Sequence, residues 1–385
     1  MRIAMLSWET LHSIAVGGVA AHVTELAAAL QRKGHDVHIF TRMASGQADY
    51  ELVHGVHYHR CPFFLNPDFV TETHNMCQSF TDRVFATEDL GGAFDIVHAH
   101  DWLAARAMLW VKNGRGRRGI FTVHSTEYGR SGNNFYPGPS ARIREIEREG
   151  CHAADWVIAV SGATCDEVKW MYEVPHWKLN KVYNGVSAHR FDGFIDPAEP
   201  RARFGVGPTD PTVLFCGRLT SQKGPDLLLD AIPMVCRFHP YSKYVFVGDG
   251  DMRTQLQQRA AKLAIESNCR FIGFRSGQEL IDIFKMVDCV CVPSRNEPFG
   301  IVVLEAWSAG KPVVVTKSGG PDEYVWHDVN GLKVNAYPES IAWGIGSIFA
   351  NFEHARWLGR NGRQAVEDAF NWDKIADQTL GVYHR

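Results

Sequence analysis

Apolar residues in this chain fall into short runs separated by stretches in which they recur at helical spacing. The run over 2–8 predicts a strand. A helix follows over 19–32, where Val23, Leu26, Ala27 and Leu30 recur at its period and Gly34 ends it. The next strand is 36–41. Strand, glycine-containing turn, helix and strand in that order form a βαβ unit of a parallel sheet. Residues 42–60 read as a loop and a β-hairpin, and 62–90 as mixed helix and loop. Further strands are predicted at 94–102, 119–123 and 156–161, with 181–186 closing the first sheet. The 142–151 stretch is charged enough to predict a solvated surface helix.

Between 187 and 211 the chain collects Pro197, Pro200, Pro208 and Pro211 among Asp and Gly, the composition of a domain boundary. Beyond it, strands are predicted at 212–216, 243–247, 270–273, 288–293 and 312–315. Helices fall near 225–237, 252–266, 278–286 and 301–309. The segment 372–383 reads as a last helix. The expected architecture is α/β with two doubly wound parallel-sheet domains, 1–190 and 206–369, and a cleft between them. The helix within 370–385 is expected to pack back on the first domain.

The length of 385 residues suits two domains. Lys+Arg (40) nearly balances Asp+Glu (43), which speaks against broad nucleic-acid or anionic-membrane binding. The nine cysteines are an odd number without C-x-x-C spacing, and Cys216, Cys289 and Cys291 lie in apolar runs. They read as buried thiols in a reducing compartment. No run approaches the ~20 apolar residues of a membrane span, and the N-terminal run is too short for a signal peptide. A soluble cytoplasmic protein is expected. The oligomeric state is left open, a homo-oligomer being admissible.

The candidate chemistry lies at strand ends. Glu297 precedes, and Glu305 lies within, a helix that follows a strand. The first amides of a helix lack intrahelical partners and carry partial positive charge, so Phe299, Gly300 and Ile301 offer an anion site. Gly300 has no side chain to obstruct those amides. Amides for phosphate and carboxylates for hydroxyls are what a nucleotide-sugar requires. Arg218 and Lys223 share the loop after the strand 212–216, a planar fork and a point charge suited to a diphosphate. Gly248 ends the next strand with backbone room for a nucleotide.

In the first half, Gly17-Gly18 forms a turn able to close on a ligand. His100, Asp101 and His124 stand at strand ends where ligands gather. The plainer reading makes Asp101 a helix cap. His54, His57 and His59 invite a metal reading, since His57 and His59 share a strand face. No further Cys or carboxylate lies at ligand spacing, and no metal site is expected.

Together, Gly17-Gly18, His100-Asp101-Trp102, His124, Asn184-Gly185-Val186, Gly217-Arg218, Lys223-Gly224, Gly248-Asp249-Gly250 and Glu297-Pro298-Phe299-Gly300 with Glu305 resemble the retaining family 4 glycosyltransferases of GT-B fold. The resemblance spans essentially the whole chain. It implies a nucleoside-diphosphate sugar donor, a carbohydrate acceptor, retention of configuration, and no metal or other cofactor. It implies that Arg218 and Lys223 hold the diphosphate, and that Glu297 binds donor-sugar hydroxyls with the amides of Phe299, Gly300 and Ile301. Glu305 would take the ribose, His124 would lie beside the sugar C6 hydroxyl, and Gly17-Gly18 would close on the diphosphate side. His100-Asp101-Trp102, Pro293-Ser294-Arg295 and Glu9 resemble glycogen and starch synthases and imply an acceptor side at Glu9, His100 and Asp101.

Three segments depart from those synthases: Ala15-Val16-Gly17-Gly18 for Lys-x-Gly-Gly, Phe299 for Cys, and Lys317-Ser318-Gly319-Gly320-Pro321 for Ser-Thr-Gly-Gly-Leu. A glycogen-synthase-like glucosyltransferase using UDP- or ADP-glucose is the first expectation. Transfer to a small sugar or lipid-linked acceptor is the second. A nucleotide-sugar epimerase lacks a separate acid/base pair here, a sugar-binding module need not keep Arg218, Lys223 and Glu297 together, and a dehydrogenase lacks the full glycine fingerprint.

Overall fold

A computed structural model describes residues 1–385. The first strands are β1 (Arg2–Leu6), β2 (Asp36–Arg42), β3 (Tyr50–Val53), β4 (Val56–Cys61), β5 (Ile96–His100), β6 (Arg118–Val123), β7 (Trp156–Ala159) and β8 (Leu179–Lys181). They form one sheet in the order β3-β4-β2-β1-β5-β6-β7-β8, parallel except for the β3–β4 hairpin. The remaining strands are β9 (Thr212–Cys216), β10 (Lys243–Val247), β11 (Cys269–Gly273), β12 (Cys289–Val292), β13 (Val313–Thr316) and β14 (Leu332–Val334). They form a second, all-parallel sheet ordered β11-β10-β9-β12-β13-β14. Two units result: Met1–Asn184 with Trp372–Arg385, and Gly185–Asn371.

A parallel sheet is covered on both faces, so its strands are apolar throughout. In β1, Ile3 and Met5 face one core with Val23, Leu26 and Leu30 of the helix Gly18–Arg32, while Ala4 and Leu6 face another with Phe80, Ala99 and Phe121. The helix Trp372–Tyr383 adds Ile375, Ala376 and Tyr383 to the first of these cores. In the second unit, Val213 and Phe215 pack with Leu228 and Ile232 of the helix Pro225–Cys236 and Ile341 and Ile345 of the helix Pro338–Ala350. No helix is long and apolar enough to cross a membrane.

Three expectations change. The strand that closes the first sheet is Leu179–Lys181, and residues 182–186, expected to form it, run on beyond its end. Residues 62–90 contain one long helix, Phe69–Gly91, started by Asp68, whose carboxylate accepts from Thr71 N at 3.0 Å. Thr73, Cys77 and Thr81 complete its buried stripe with Val70, Met76, Phe80 and Val84, and these small polar residues dilute the apolar period. The helix over 142–151, which runs Pro139–Ala153, is not wholly solvated. Its Glu147 is buried and accepts from Arg130 Nη2 at 2.6 Å and from the Tyr172 hydroxyl.

Each sheet has one topological switch point. From β1 the chain goes first to β2 on one side and later to β5 on the other; from β9 it goes to β10 and later to β12. Loops leaving such neighbours diverge and open a crevice at the strands' carboxyl ends.

Candidate functional site

In the second unit, the crevice lies between the loops after β9 and β12. Lys223 ends a 3-10 turn, Ser221–Lys223, and Gly224 follows in left-handed conformation (φ 65°). From there Lys223 Nζ reaches Glu297, 2.8 Å from both carboxylate oxygens. Ser294 Oγ donates to Glu297 Oε2 at 2.8 Å. The carboxylate is buried, and its two partners offset the desolvation it would otherwise suffer. Arg295 ties the two loops: its amide donates to Gln222 O at 2.8 Å, and its guanidinium grips Asp226 at 2.9 and 2.6 Å. A third loop, after β13, supports the arrangement, for Gly320 N donates to Glu297 O at 2.8 Å.

The helix Ile301–Ser308 begins directly beyond Gly300, so its amide-rich end faces the same loops. Gly300 is glycine for a reason other than ligand access. Its φ is +87°, and a Cβ there would stand 2.9 Å from Pro321 Cγ and 3.1 Å from the Tyr324 hydroxyl. The Phe299 ring is core, packed on Tyr324, and what it offers a ligand is backbone. Glu305 lies on this helix; burial lifts its carboxyl to about 7, against the field of Arg190. Gly248 lies against the loop after β9, where a Cβ would stand 2.0 Å from Gly217 O. Arg218 is exposed on that loop.

In the first unit, the crevice lies between the loops after β1 and β5. Glu9 is buried, and its Oε2 accepts from the amides of Val16 at 2.5 Å and Gly17 at 2.6 Å. Burial raises its pKa and these two amides oppose the rise. Glu9 is thus a clasp on the glycine turn, and Gly17 and Gly18 stand exposed at the start of the helix that follows.

Asp101 holds the N-cap position of the helix Trp102–Arg115 without capping it through its side chain. Its φ is +59°, a strained value for a non-glycine residue. The carboxylate turns instead to the loop after β6, accepting from His124 N at 2.8 Å, and burial pushes its pKa up to about 6. His100 Nδ1 lies 3.2 Å from His124 Nε2, and His98 is tilted against His100 with ring centroids 4.2 Å apart. Burial pushes His124 down to about 3 and depresses His98 and His100 as well, so these imidazoles are neutral near pH 7.

His22 was not singled out from the sequence. It lies on the helix Gly18–Arg32 among apolar neighbours, with its ring edge-on to His124 at 4.5 Å and to His100 at 5.3 Å. His22 Nδ1 and His100 Nε2 are buried without hydrogen-bond partners. The available signal was a histidine four residues past the glycine turn, on a face otherwise made of Val and Leu.

Each crevice therefore gathers residues from several loops. Lys223 meets Glu297 in one; His124 meets His100 and Asp101 in the other, beside the Glu9–Gly17 clasp. The first can neutralise an anion and accept hydrogen bonds from hydroxyls; the second can exchange hydrogen bonds through imidazoles that carry no charge.

Residues 198–365 match the family Glycosyl transferases group 1, and residues 16–190 match Glycosyltransferase Family 4. An uncharacterized glycosyltransferase of Methanocaldococcus jannaschii is 35% identical, the match covering 100% of this chain and 98% of that protein. Glycogen synthase of Mycobacterium tuberculosis is 29% identical over 100% of this chain and 94% of its own. D-inositol 3-phosphate glycosyltransferase of Saccharomonospora viridis is 31% identical over 95% and 89%. Among solved structures, Anabaena HepE in complex with UDP-glucose superposes with a TM-score of 0.79 at 21% identity, covering 100% of this chain and 99% of that one. With two Rossmann-like sheets and these matches along its length, the chain belongs to the family 4 glycosyltransferases of GT-B fold.

Proposed function

We propose that this protein transfers a glucosyl group from UDP-glucose or ADP-glucose to a hydroxyl of a carbohydrate acceptor, with retention of anomeric configuration and without a metal ion. The reading is carried by the Lys223–Glu297–Ser294 arrangement beside a helix start at the β9/β12 switch point. In this reading Lys223, Arg218 and the amides at 299–301 neutralise the leaving diphosphate. Glu297 accepts hydrogen bonds from hydroxyls of the donor sugar, and Glu305 from those of the ribose. The neutral imidazole of His124 bonds the sugar's C6 hydroxyl, with His100 held behind it.

The acceptor attacks on the face the diphosphate leaves. Its oxygen bonds to the anomeric carbon as the carbon–phosphate-oxygen bond breaks, and its proton passes to the departing phosphate. Catalysis is then positioning and electrostatic stabilisation. Similarity to glycogen synthase supports a glucan acceptor, and the HepE complex supports a UDP donor. Cysteines held as thiols suit action in the cytoplasm.

Similarity to D-inositol 3-phosphate glycosyltransferase favours a second reading in which the acceptor is a small polyol. Thermal shift with UDP-, ADP- and GDP-glucose identifies the donor, since a ligand at a hundred times its Kd adds about 2.7 kcal/mol. Product NMR with oligoglucan and with small polyols then reads acceptor and anomer. Inverted product, or activity abolished by a chelator and restored by a divalent cation, overturns the mechanism. No shift with any nucleotide-sugar overturns the function.

A further inference from the structure

At the amino ends of β2 and β4, remote along these strands from their carboxyl-end loops, three ligand atoms converge. His38 Nε2 is 3.1 Å and His57 Nε2 3.5 Å from Asp36 Oδ1. All three atoms lie within 4.8 Å of one another. A first-row cation with metal–nitrogen and metal–oxygen bonds of ~2.0–2.2 Å holds neighbouring ligands ~2.9–3.5 Å apart. Both carboxylate–imidazole distances already have that spacing.

The sheet creates what chain spacing could not show. Parallel pairing puts His38 opposite His57, and the two rings stack 4.3 Å apart at 9°. Asp36 enters from the first position of β2. Of the histidines singled out for possible ligation, His57 thus acquires a carboxylate, Asp36, and a second imidazole, His38, both from the neighbouring strand, while His54 and His59 supply no ligand.

Each ligand is oriented from behind, as metal ligands are. His57 Nδ1 meets the Tyr50 hydroxyl at 2.8 Å, and His38 Nδ1 meets His59 Nε2 at 2.9 Å. Arg2 Nε holds the other Asp36 oxygen at 3.1 Å. These bonds fix both rings with Nε2 toward Asp36. The His38 side chain is 6% exposed, His57 30% and Asp36 47%, so the cluster has a buried floor and an open mouth through which a cation and water can enter.

The geometry points to a binding site for a divalent first-row cation of the zinc type, held by Asp36, His38 and His57 with water completing its coordination. Two imidazoles and one carboxylate suit Zn2+ or Co2+ better than Mg2+ or Ca2+, which prefer oxygen ligands throughout. The second histidine group, His22, His100 and His124, lacks a carboxylate, and its His100 and His124 nitrogens already face each other; it belongs to the crevice described above.

Isothermal titration of chelator-treated full-length protein with Zn2+, and the visible spectrum of the Co2+-loaded protein, test this directly. The expected result is one ion per chain, with affinity at least ~10–100-fold weaker in Asp36→Asn and in His57→Ala and unchanged in His124→Ala. Circular dichroism confirms the fold of each variant, and His57→Ala alone decides if Asp36→Asn does not fold. Absence of binding to the wild type overturns the proposal. So does binding that survives unaltered in His57→Ala, or binding that disappears in His124→Ala.

Discussion

The two switch points are built alike and charged differently. In the second unit the crevice holds a full ion pair, Lys223 with Glu297 at 2.8 Å to both oxygens. In the first it holds imidazoles that burial keeps neutral and carboxyls, Asp101 and Glu9, that burial pushes toward protonation. The same strand–loop–helix architecture can thus present fixed charge or neutral hydrogen-bonding surface, depending on whether a buried ionisable group is given a partner of opposite charge. A departing diphosphate calls for the first kind of surface and a sugar hydroxyl for the second.

The strongest way to break this contrast is to remove the fixed charge. Lys223→Ala or Arg218→Ala should lower kcat by roughly 10²–10³, as loss of one preorganised donor does, with far-UV dichroism unchanged. Near-wild-type nucleoside diphosphate release from both variants would undo the assignment. The frame behind the charge comes next. At Gly319, φ is +72° and a Cβ would stand 2.0 Å from Glu297 O, so Gly319→Ala should cost about 1–3 kcal/mol in urea unfolding. Gly346→Ala, in open space on a helix, should not destabilise.

On the neutral side, His124→Ala removes one hydrogen bond of about 0.5–1.5 kcal/mol and should lower kcat/KM about tenfold. Because the ring stays neutral, the wild-type profile should show no histidine inflection near pH 6.5.

The smallest effect sharpens the comparison within the second unit. Folded Glu305 keeps its proton up to about pH 7, whereas the unfolded chain releases it near 4.5. Its contribution to stability is therefore whole below pH 4.5 and is lost as pH rises through 7. Glu305→Gln should have a Tm like that of the wild type at pH 4.5 and a higher one at pH 8. An equal Tm difference at both values would mean that Glu305 is ionised throughout.

Strands were the most legible part of the chain, because a parallel sheet covered on both faces demands uninterrupted apolar runs such as Val313–Thr316 and Lys243–Val247. Strand-end chemistry was legible for the same reason: polar residues that break such a run must lie at its end. Lys223 and Glu297 could be named but not paired, since they meet across two loops separated by three strands in sequence. His22 was hidden by lying on a helix, where the histidine gives no signal of what faces it. His57 was named, but its neighbours Asp36 and His38 were hidden by β-pairing, because no chain spacing relates residues on neighbouring parallel strands. The helix Phe69–Gly91 was missed where threonine and cysteine stand in for larger apolar groups.

The chain closes its first unit last. Ile375, Ala376 and Tyr383 complete a core begun by Ile3 and Met5, and the Tyr383 hydroxyl is 2.7 Å from His98 Nδ1 beneath the imidazole group. Burial of Ile375 alone contributes about 1.5–3 kcal/mol. During synthesis, the first unit therefore stays incomplete until residues 372–383, which follow the whole second sheet, have been made. A premature stop that spares every residue of the second sheet would still leave the first unit with a bare flank and His98 with one of its two hydrogen-bond partners, the Thr122 hydroxyl.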